Sequence, residues 1–122
     1  MLIGRHIAPI LIVAGIITAL PVLQFFFPRL MLKRLSGVAL EDPAALFFAR
    51  HWGLLTLTIG ALVVFAAYVP EARVGIVAAV TVEKLGYAGL VFAHWQRFPG
   101  MRAAGLFDTI CSLVFSAFLL GL

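Results

Sequence analysis

The 21 residues from Ile7 to Phe27 contain no charged side chain. As a helix rising 1.5 Å per residue, such a run matches the roughly 30 Å apolar core of a bilayer. Lipid offers the backbone no hydrogen-bond partners, so a run of this kind crosses as a helix. Arg5 and His6 precede it as in a secretory leader. It is, however, too long for a leader's apolar region, and no small-residue cleavage site leads into a polar stretch.

Composition carries the same constraint through the whole chain. Hydrophobic residues make up 64% and charged residues 11% of 122, against about 45–50% and about 25% in soluble domains. The expectation is a single integral membrane domain over residues 1–122, an all-α bundle of four transmembrane helices. Their bounds are about 7–27, 43–69, 71–97 and 101–122. Pro21 lies inside the first span and should kink it, with Thr18 placed to bond a freed carbonyl. Between the first two spans, Arg29, Lys33 and Arg34 alternate with Leu30, Met31, Leu32 and Leu35. That pattern predicts a short amphipathic interfacial helix over about 28–36, broken at Ser36-Gly37. Asp42-Pro43 supplies an N-cap and a first-turn proline for the second span. Gly53, Gly60 and Ala67 share a face of that span, a strip suited to close helix packing.

Orientation follows from the basic residues. Arg29, Lys33, Arg34, Arg50, Arg97 and Arg102 flank the first and third connections, whereas Arg5 and Arg73 lie on the opposite side. The positive-inside rule places the two basic loops in the cytoplasm and both termini on the non-cytoplasmic side, with a bacterial inner membrane as the expected location. The net charge of +4 is spent on this topology. No basic stripe interleaved with aromatics is present, which argues against nucleic acid. The single cysteine, Cys111, can form no intramolecular disulfide.

Val74 to Gln96 is the unusual span, because Glu83 and Lys84 stand side by side near its middle. Charges at membrane depth are costly and mark functional sites by default. Glu83, Tyr87 and His94 fall within about 40° of one another on the helix, while Lys84 points about 100° from Glu83 and toward another helix. His51 and Asp108 are expected in the same half of the bundle. Glu83 and His94 are the candidate acid–base pair, and His51, Glu83, Tyr87, His94 and Asp108 the candidate ligand-binding set. Arg50, Lys84 and Asp108 are candidates for structural ion pairs between helices. Trp52 and Trp95 have the placement of interface anchors.

His51-Trp52 and His94-Trp95 form a repeated dipeptide on antiparallel spans, which admits a haem held by two imidazoles. No zinc spacing and no Glu-x-x-His pair occurs, so no metal site is expected. Hydrolase, phosphate-loop and dinucleotide motifs are also missing.

The segments Ala49-Arg50-His51-Trp52-Gly53-Leu54-Leu55, Ala66-Ala67-Tyr68-Val69-Pro70 and Glu83-Lys84-Leu85 resemble small bacterial four-helix membrane proteins of the DoxX-like kind. The resemblance covers about residues 49–92. It implies a four-helix inner-membrane fold and, loosely, quinone redox chemistry. It assigns no catalytic residue.

Three function classes remain open on these grounds. One is a binder of an amphipathic ligand, quinone or lipid, or an accessory subunit built on the polar cluster. The second is a membrane enzyme using Glu83 and His94 on a lipid-like substrate, or a haem-carrying electron-transfer subunit. The third is a structural homo-oligomer, a channel-forming subunit, or one subunit of a complex with partner membrane proteins.

Overall fold

A computed structural model describes residues 2–122. It is helical throughout, with no strand among the described residues. After a short turn of helix at Leu2–Arg5, the first span is α1 (Ile7–Phe26). The interfacial helix is α2 (Pro28–Ser36), followed by α3 (Pro43–Tyr68) and α4 (Pro70–Ala93). A single 3-10 turn at Pro99–Met101 leads into α5 (Arg102–Leu119). Four of these units are long and apolar enough to cross a membrane. Large apolar side chains such as Ile16, Phe47, Phe65, Val82 and Leu113 cover the outside, a surface suited to lipid and not to water. The chain is a helical multi-pass membrane protein.

Local sequence explains where the helices start and stop. Asp42 caps α3, its side chain accepting from Ala45 N–H at 3.3 Å, and Pro43 occupies the first turn. Gly37 ends α2 at φ +78°, the left-handed region that glycine enters without a Cβ penalty. Val69 alone separates α3 from α4. Arg73 reaches back from α4 and donates to the Ala66 and Ala67 carbonyls, both at 2.9 Å. These belong to the last turn of α3, which has no further helical partners for them.

Pro21 does interrupt the α-helix of the first span, but the compensation differs from the expected one. α1 tightens to a 3-10 turn over Leu20–Val22, and Leu20 N–H takes the Ile17 carbonyl that Pro21 cannot reach. Thr18 is therefore free for another role. The third span also ends earlier than the predicted residue 97. His94 sits at the C-cap with its N–H shared between Leu90 and Val91, and its ring Nδ1 donates to Leu90 O at 2.9 Å. Residues 94–97 continue as a turn, closed by Arg102, whose Nε donates to Trp95 O at 2.9 Å and whose guanidinium stacks on the Trp95 ring.

The bundle is two helix pairs. α1 packs along α3 and α5 along α4, with α3 and α4 in contact between them. The glycine strip of α3 is used inside the chain. A Cβ on Gly60 would stand 2.5 Å from Gly15 O, and one on Gly15 would stand 2.6 Å from a Val64 methyl. Only two glycines let these backbones approach so closely. The backbones of α1 and α5 stand apart. Leu11, Val63, Ala66, Val77 and Phe115 fill the core and are fully buried. α2 rests on the Pro99–Met101 turn and on the end of α1.

Candidate functional site

Several polar residues of the spans converge on one cavity of about 340 Å³ in the half of the bundle nearer α2. Each helix gives part of its wall: Thr18 and Gln24 from α1, Met31 and Leu35 from α2, Trp52 and Thr56 from α3. α4 adds Glu83, Lys84 and Tyr87, and α5 adds Phe107 and Asp108. Apart from the polar groups among these, the lining is apolar.

Lys84 is the fixed point. It is 1% exposed, and its Nζ lies 3.0 Å from Asp108 Oδ1 and donates to Thr18 Oγ1 at 2.8 Å. The Phe107 ring stands 4.9 Å from the same ammonium. One cation thus joins α4 to α5 by charge and to α1 by a hydrogen bond. A desolvated cation needs this set of partners, because an unpaired charge in lipid is expensive. The Ser112 hydroxyl, also buried, donates one turn back to the Asp108 backbone carbonyl at 2.7 Å and leaves the carboxylate to Lys84.

Other polar groups on the wall are not paired. Gln24 is 1% exposed, and neither its amide nitrogen nor its amide oxygen has a hydrogen-bond partner. Glu83 Oε1 and Tyr87 Oη are likewise buried and unpartnered. Native proteins pair most buried polar groups, so each exception calls for an explanation. Here all four atoms belong to three side chains lining the same cavity. The Trp52 ring lies against Tyr87 with centroids 5.5 Å apart and planes tilted by 40°, giving the cavity an aromatic wall beside its hydrogen-bonding groups.

The expected set divides accordingly. Glu83, Tyr87, Lys84 and Asp108 come together as predicted, and Lys84 does turn away from Glu83 to meet another helix. His51, His94 and Arg50 do not join them. All three are exposed, and none lines the cavity. His94 lies beyond the cavity at the end of α4, where Leu90 on the same face is already 62% exposed. Arg50 and His51 lie on the outward side of α3, whereas Trp52 and Thr56 face inward. Arg50 forms no ion pair among the described residues, and the Asp108 partner is Lys84 alone. A haem between His51 and His94 does not fit, since both imidazoles are exposed and neither lines the cavity.

Gln24, Trp52 and Thr18 are the residues whose place in the site the sequence did not disclose. Gln24 is the only side-chain amide in an otherwise charge-free span, and that isolation was the available signal. Trp52 has the appearance of an interface anchor until its partner Tyr87 is seen.

Comparison with protein-family models, with curated proteins and with solved structures yields no match.

Proposed function

We propose that this chain is a small inner-membrane protein that binds the polar ring or head of an amphipathic ligand, a quinone in first place, in the cavity between its four spans. The observation that carries this reading is the group of four unpartnered polar atoms on Gln24, Glu83 and Tyr87 beside a single, mostly apolar cavity. Binding sites for small molecules combine an apolar lining with a few convergent polar groups in this way. Tyr87 Oη and Gln24 Nε2 can donate to ring carbonyls, and Glu83 can accept from a ring hydroxyl. Trp52 and Phe107 flank the space where a flat ring would lie. Glu83 stands one helical turn from Tyr87, so a proton exchanged with a bound oxygen would pass through this pair. The DoxX-like resemblance and the distribution of basic residues support a bacterial inner membrane with the α2 side in the cytoplasm.

The test is quenching of Trp52 fluorescence by a methylated benzoquinone, using purified protein in lipid nanodiscs. The native chain should show saturable quenching. Glu83→Gln and Tyr87→Phe variants should fold normally and lose most of it. Normal binding by both variants would sink the reading.

A second reading concerns assembly. Gly86 and Gly89 lie on the outer face of α4, where an added Cβ would meet no atom within 4 Å. Such a face suits a neighbouring helix, from a second copy or from a partner subunit. Native mass spectrometry in detergent reads the copy number directly, and a strictly monomeric species would end this reading.

A further inference from the structure

At about 340 Å³ the cavity is near the small end of ligand sites, which run from about 300 to 1,000 Å³. It holds a ring or compact head group and leaves no room for a long attached chain. An amphipathic ligand seated there must place its chain elsewhere.

The seam between α1 and α5 offers that place. The backbones of these two helices stand apart, because α1 is drawn onto α3 and α5 onto α4, and they meet only through side chains of the shared core. The gap between them is a second concavity of about 410 Å³. Its walls are Pro9, Ile10 and Val13 from α1 and Ile110, Val114 and Phe115 from α5, with no charged residue. Phe107 lines both spaces, and its ring is held on the polar side by the Lys84 ammonium. Val13 and Ile110 are 58% and 61% exposed, so the seam faces the bilayer along its length.

Resting on the reading of the cavity as a head-group site, we propose that the α1–α5 seam receives the hydrocarbon chain of the same ligand, with Phe107 at the junction of head and chain. The occupant is a chain and not a neighbouring helix. Helices that associate in lipid meet through small residues or polar side chains. The seam is instead walled mostly by Ile, Val and Phe, too bulky for another backbone to approach. It also adjoins the polar cavity, with the Phe107 side chain standing between the two spaces as a wall of each. The ligand would enter sideways from the bilayer, head first.

The experiment compares two probes on protein in phosphatidylcholine nanodiscs. One is a methylated benzoquinone without a chain, and the other is the same ring carrying a decyl chain. Binding is read from Trp52 in a Trp95→Phe background, which leaves one tryptophan of the two. Val13→Phe combined with Val114→Phe fills the seam. The filled variant should bind the decyl probe about tenfold or more weakly and keep its affinity for the chainless ring. Unchanged decyl affinity would overturn the chain proposal while leaving the head-group site standing, and equal loss of both probes would overturn it as well. If neither probe quenches the native protein saturably, the head-group reading fails and this proposal with it. A decyl probe with a diazirine at the chain end gives a second measurement on the unmodified protein. Its label should fall on residues 9–14 and 110–115 and be displaced by unlabelled decyl probe. Label spread over the outer faces of α3 and α4 overturns the proposal.

Discussion

Lys84 and Asp108 meet at 3.0 Å across the contact between α4 and α5, and the lysine is almost completely withdrawn from the surface. Breaking a buried pair by removing one partner costs about 3–5 kcal/mol, because the other charge stays behind. Lys84→Met and Asp108→Leu should each lower the thermal unfolding temperature in detergent sharply. The double variant should recover most of the loss, since apolar replacement of both members is often neutral or better. Double-variant stability equal to the sum of the single losses would show that the pair is not acting as a unit.

Gly60 and Gly86 give opposite outcomes for the same substitution. In Gly60→Ala the new methyl would lie 2.5 Å from Gly15 O and 2.8 Å from Ala19 N, and neither backbone can yield cheaply. Overpacking of this kind costs about 1–3 kcal/mol. Gly86→Ala meets open space within the single chain and in the monomer should be neutral or slightly stabilising, since alanine favours the helix by up to about 1 kcal/mol. Unfolding in detergent, measured for both, checks the contrast.

Gln24 should separate stability from binding. Its amide is buried without partners, and a buried polar group left unsatisfied costs about 1–3 kcal/mol. Gln24→Leu should raise the unfolding temperature of the ligand-free protein and weaken quinone quenching of Trp52. A variant that is less stable and binds normally would mean that the amide has a structural partner instead.

His51 and His94 should be dispensable for binding. Neither lines the cavity, so the His51→Ala, His94→Ala double variant should titrate with the benzoquinone like the native chain. Loss of binding in that variant would return the histidines to the site.

Much of this was legible in the sequence. The four spans, the Asp42-Pro43 start, the Ser36-Gly37 stop and the turn of Lys84 toward another helix follow from charge, hydropathy and local backbone chemistry, and all are present. Angular position on α4 grouped Glu83 with Tyr87 correctly. It failed for His94, because a shared face says nothing of how far along the helix the cavity extends, and on α4 the lining ends at Tyr87 with Leu90 already exposed. Arg50 and His51 were misplaced for a different reason. Depth along α3 does not fix which side of a helix faces in, and Gly53 and Gly60 turn that side toward α1. Gln24 and Trp52 became visible only when helices distant in sequence enclosed the same space.

α2 has a consequence for how occupancy is to be expressed. It contributes Met31 and Leu35 to the cavity and leans on the turn before α5, so it stands between the cavity and the aqueous phase at that end. On the proposed reading and topology, a ligand leaving the cavity would therefore pass into lipid. The quantity that governs filling is then the mole fraction of ligand in the bilayer, not its molarity in the sample. Adding empty lipid at constant volume would drain the cavity, whereas adding buffer at constant lipid would leave a strongly partitioned ligand in place.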